Sequence, residues 1–116
     1  EYTKRALCLR KSHKSVLSLT AEQEVLNTTL DDENLSDLVG SKVAYEAFNS
    51  LIPEHRDEVL VGLDFTAEQL FFFNNCAKLC AQNAIPGKRY APYRSRCIVP
   101  LMNMPEFSHA FRCAVG

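Results

Sequence analysis

The sequence predicts a mainly α-helical chain, one partial domain over residues 1–116, and three observations carry that prediction. Apolar residues return every third or fourth position from Asp32 to Ile52, the period at which side chains share a helix face. Thr66 and Gln69 stand three apart, the spacing of a capping box. Pro105, tolerated in a first helical turn, precedes Phe107, Ala110 and Phe111, which would face inward.

Taken in order, residues 1–30 carry short apolar groups, Ala6-Leu7 and Val16-Leu17-Ser18-Leu19, separated by polar residues, and read as irregular or weakly helical. The first strong helix opens at Asp32, with Leu35, Leu38, Val39, Val43, Ala47, Phe48, Leu51 and Ile52 as its apolar stripe, and Pro53 ends it. The second opens at Thr66 and runs through Phe72 and Cys76 to about Ala81. Pro86-Gly87 and Pro92 punctuate a loop over residues 87–96, and Cys97-Ile98-Val99 allows at most a short strand near residues 97–99. The last helix starts near Pro105. Neither an internal repeat nor an inter-domain linker interrupts the pattern.

A mass of 13.1 kDa leaves room for one modest core. With 47% hydrophobic and 23% charged residues, the composition excludes a disordered tract, and a formal charge of −1 argues against a general polyanion binder. The longest clear apolar run, Leu70-Phe71-Phe72-Phe73, falls far short of the roughly 20 residues that span a bilayer, so no membrane segment is expected here. The opening Glu1-Tyr2-Thr3-Lys4-Arg5 has no signal-peptide pattern and suggests a processed or excised piece. Cys8, Cys76, Cys80, Cys97 and Cys113 are an odd set, so at least one is free or bonded elsewhere. Together with the sequons Asn27-Thr28-Thr29 and Asn34-Leu35-Ser36, they predict an extracellular glycoprotein, secreted or the ectodomain of a membrane-anchored protein.

Glu33 and Asp37 stand four apart and so share one helix face, which suits a metal-ligating acid and the acid that supports a neighbouring ligand. Taken alone, each would be a solvated acid near a helix start. Their context changes that reading. Glu33-Asn34-Leu35-Ser36-Asp37 resembles the Glu-Asn-x-x-Asp segment of the neprilysin family of zinc metallopeptidases. The order of landmarks after it is also similar: Ala44-Tyr45, Gly62-Leu63-Asp64, Gln69-Leu70-Phe71-Phe72, Asn74, Cys80, Pro92, Arg96, Glu106-Phe107-Ser108, Ala110-Phe111 and Cys113. The match is specific from about Leu30 to Cys113 and weaker before it.

This resemblance implies the C-terminal helical segment of a zincin-type metallopeptidase domain, with Glu33 as the third zinc ligand. Asp37 would steady a histidine ligand by accepting its ring N–H. In the family a His-Glu-x-x-His helix upstream supplies the other two ligands and the general base. The histidines here, His13, His55 and His109, are isolated. A catalytic zinc needs three protein ligands and an open position, so zinc is expected only in the intact protein, which would hydrolyse peptides by zinc-activated water. This chain alone is expected to be inactive, with the upstream part of the same polypeptide as its partner.

In the family a His-Ser-Pro element stabilises the oxyanion, an Asp stands two residues before that His, and an Arg four residues after the Pro binds a substrate carbonyl. Here Pro92 and Arg96 keep the spacing, while Tyr90 stands in place of the histidine and Lys88 in place of the aspartate. A tyrosine hydroxyl can donate to an oxyanion, and loss of one such donor costs on the order of 100-fold to 1000-fold in rate. The same loop, with Lys88, Arg89, Arg94, Arg96, Tyr90 and Tyr93, has the composition of a single-strand nucleic-acid patch. The acidic remainder favours a solvated loop, and no nucleic-acid partner is expected.

Cys76 and Cys80 with His109 and Cys113 allow a rival reading as a structural Cys₃His zinc site. The resemblance instead implies that Cys80 and Cys113 pair with upstream segments and Cys8 with a cysteine near the extreme C-terminus. Cys76 and Cys97 have no family counterpart and could bond to each other. Altered Tyr90 and Lys88, with the missing upstream motif, also fit a secreted, non-catalytic interaction domain derived from the family.

Overall fold

The computed structural model describes residues 1–16, 28–80 and 90–113. They form six helices and no strand: α1 (Tyr2–Val16), α2 (Thr28–Asn49), α3 (Pro53–Arg56), α4 (Ala67–Ala77), α5 (Tyr93–Met102) and α6 (Pro105–Phe111). The mainly helical expectation holds.

Two junctions organise them. Tyr45 of α2, Phe72 of α4, Leu101 at the end of α5, and Met104 form the core, with Leu38, Phe48, Phe71, Phe107 and Phe111 packed around it. Phe72 stacks on Tyr45 at 5.5 Å between ring centroids and meets Phe107 edge-on at 5.4 Å. Such pairs gain about 0.5–1.5 kcal/mol each beyond their burial. At the second junction α1 lies against α2 and α5, burying Ala6, Leu9 and His13 from α1 and Val99 from α5.

Helix α1 corrects the irregular or weakly helical reading over Tyr2–Val16, while Leu17-Ser18-Leu19 lie outside the described residues. Its buried stripe is Ala6, Leu9 and His13, spaced three and four apart, and includes a polar residue, while Leu7 is exposed. Reading Ala6-Leu7 as a pair therefore hid the period. Helix α2 starts four residues before Asp32 and ends at Asn49, with Pro53 opening α3 as its first residue. Its inward face also differs: Asp31, Asn34, Ser41 and Tyr45 are buried, whereas Val39 and Val43 are exposed.

The capping box is present. Gln69 N–H donates to Thr66 Oγ1 at 3.1 Å, and Thr66 N–H donates to Gln69 Oε1 at 3.0 Å. Gly62 has φ +88° at the third position of a turn that Leu63 N–H closes onto the Leu60 carbonyl, a conformation glycine adopts at little cost. The possible strand at 97–99 is instead the middle of α5, which begins immediately after Pro92. Val99 is fully buried, and Pro100 lies inside the helix, where its missing N–H leaves the Arg96 carbonyl without its usual donor. Cys97 is bonded to Cys76, fastening α5 to α4.

Candidate functional site

Helix α2 carries the acidic motif, and the start of α5 carries the basic one. Asp37 and Arg96, 59 residues apart, form a two-point ion pair: Arg96 Nε donates to Asp37 Oδ2 at 2.7 Å and Nη2 to Oδ1 at 2.9 Å. Both side chains are largely sheltered, at 24% and 18% exposed. The hydrogen bonds that Arg96 donates to Asp37 raise the Arg96 pKa against the opposing effect of burial, and the charges of Asp37, Tyr90 and Glu33 add to the rise. The guanidinium lies over the Tyr90 ring, 4.6 Å from its centroid, a geometry that favours cation–π attraction.

Three residues singled out from the sequence, Asp37, Tyr90 and Arg96, are thus in one contact chain, and Glu33 lies within electrostatic reach of the same arginine. Glu33 is half-buried on α2 one turn before Asp37. Of the rest of the basic loop, Tyr93 and Arg94 open α5, while Lys88 and Arg89 lie outside the described residues, as does Asn27 of the first sequon.

The pair does not exhaust its members. Arginine has five N–H donors, of which Asp37 takes two, and a carboxylate has about four lone-pair sites. Donors therefore remain on Arg96 for a carbonyl, and acceptor sites remain on Asp37 for an N–H. Asp37 and Arg96 line a cleft of about 260 Å³ with Ser41, Asn75, Lys78 and Leu79. Its floor is fixed by Ser41, which donates to the Asp37 carbonyl at 2.9 Å and accepts from Asn75 Nδ2 at 3.2 Å.

Ser41 and Asn75 were not legible as site residues, nor was Arg10, whose Nε donates to both oxygens of buried Asp31 at 2.6 and 2.8 Å. The signal that could have found them is polar: Asp31, Asn34, Ser41 and Tyr45 repeat at helical spacing along α2. The Asn34 side chain is 3% exposed, so in this packing that sequon is not presented to a glycan.

Among the described residues no three metal-ligating side chains converge. Glu33 is a half-buried carboxylate, and a catalytic zinc takes three protein ligands. The Cys₃His reading fails because Cys76 is held in the disulfide with Cys97. Cys8, Cys80 and Cys113 are exposed thiols. Among the described residues no helix is long and apolar enough to cross a membrane.

The sequence model of Peptidase family M13 matches residues 1–116. The chain is 29% identical to Neprilysin-1 of Trittame loki over all of its length and 18% of that protein. It is 34% identical to Membrane metallo-endopeptidase-like 1 of Homo sapiens over 84% of the chain and 14% of that protein. Human Neprilysin is 37% identical over 70% of the chain and 12% of its own length. The chain thus spans less than a fifth of the curated relatives it matches. No solved structure matches it.

Proposed function

The chain belongs to Peptidase family M13, and on that premise we propose that it supplies one wall of a zinc peptidase's active site. In this reading Glu33 is the third zinc ligand. Asp37 holds a histidine ligand with one part of its carboxylate and Arg96 with the other, while Arg96 offers its free donors to a peptide carbonyl. Tyr90 stands beside that arginine as a hydroxyl donor toward developing negative charge. A zinc bound there would polarise the scissile carbonyl and activate a water. The upstream part of the polypeptide supplies the other ligands and the general base, so the chain alone neither retains zinc nor cleaves peptides.

The Asp37–Arg96 pair carries this proposal, since it joins the acidic motif to the substrate-side arginine at the edge of the cleft. The Cys76–Cys97 bond supports an extracytoplasmic location, where such bonds persist. The exposed Val39 and Val43 on α2 support packing against the rest of the polypeptide.

A cleavage assay on quenched peptides tests the proposal with two proteins, this chain alone and the polypeptide that includes the upstream region. Chelator-sensitive cleavage is expected only from the longer protein. Zinc-dependent cleavage by the 116 residues alone would overturn it.

A further inference from the structure

Three buried polar side chains belong to the helices that meet at the second junction: His13 on α1 at 2% exposed, Asn34 on α2 at 3%, and Ser95 on α5 at 0%. His13 Nδ1, both amide atoms of Asn34 and Ser95 Oγ have no hydrogen-bond partner. His13 feels the charges of Asp31 and Asp37, which flank Asn34 along α2 by about one turn on each side. Ser95 precedes Arg96, which holds Asp37. These relations set the imidazole against the polar face of α2.

The charged groups that act on this position are Asp37 and Asp31, both from α2. They are already paired: Arg10 binds Asp31, and Arg96 binds Asp37. A proton added to His13 would therefore bring a second cation to carboxylates that each have one, in a site closed to water. A buried charge without a partner of its own is tolerated poorly.

We propose that His13 is an acid-release latch: neutral, it lets α1 seat on α2 and α5, and protonated, it frees α1. Burial lowers the His13 pKa from its usual 6.5, outweighing the opposing pull of Asp37 and Asp31. The sign follows. A histidine whose folded pKa lies below its unfolded value contributes stability above the unfolded value, and that contribution falls as pH drops from 6.5 toward the folded value. Within that window each pH unit multiplies the opening of α1 by up to about tenfold.

Hydrogen exchange of α1 peptides in the full-length polypeptide, corrected for intrinsic rates, is measured at pH 7.5, 6.5 and 5.5. Opening should rise severalfold, by no more than about fivefold, from pH 6.5 to 5.5 in the unaltered protein and stay flat in His13→Phe and His13→Gln. Should His13→Phe disturb the packing, His13→Gln carries the comparison. The His13 ring's own NMR titration supplies an independent reading, with a midpoint below 6.5 expected. Flat exchange in the unaltered protein, an equal slope in both variants, or a midpoint above 6.5 would overturn the latch.

Discussion

Asp37 and Arg96 illustrate how one contact can serve two roles, because neither group is saturated by the other. The pair is sheltered and two-pronged, so its coupling should exceed that of an ordinary surface bridge. A double-mutant cycle with Asp37→Asn and Arg96→Gln should return about 1–2 kcal/mol of coupling in denaturant unfolding. Coupling near zero would mean that the contact is incidental. Tyr45 offers a second residue-scale test, since burial and its 2.5 Å hydrogen bond to Glu68 raise the phenol's pKa above the usual 10.0. Neutral tyrosine is favoured in the fold, so stability should be intact below pH 10 and decline as pH rises above it. In Tyr45→Phe the alkaline decline should be shallower, which a series of unfolding curves between pH 8 and 11 would reveal.

Among the elements, α4 depends on its start and on its covalent tie. Thr66→Ala removes the capping hydroxyl and should cost about 1 kcal/mol. Breaking Cys76–Cys97, which closes a loop with a sequence separation of 21, should cost about 3 kcal/mol by loop entropy. Denaturation midpoints before and after reduction check the second figure. The helices that local chemistry marks were legible beforehand: the capping box located α4, and Pro105 located α6. What escaped was set by tertiary contact. Cys97-Ile98-Val99 has strand-like composition, yet the segment is helical where Val99 is fully buried and Cys97 meets α4. On α2 the apolar stripe pointed outward at Val39 and Val43 because the inward face is polar, built around Asp31, Asn34 and Ser41. The position of the acidic motif was readable, but its pairing with Arg96 was not, since 59 residues of chain separate them.

For the whole molecule, Val39, Val43, Val59 and Val61 leave apolar surface on α2 and on the turn before α4. If the remainder of the polypeptide covers it, the isolated chain should bind a hydrophobic dye more strongly than the intact protein does. The central claim, that Glu33 is a zinc ligand, is tested most directly by metal analysis of the intact polypeptide carrying Glu33→Gln. The account predicts that bound zinc and peptide cleavage fall together by at least tenfold while the helical circular dichroism signal is retained. Full zinc occupancy and unchanged cleavage in Glu33→Gln would contradict it.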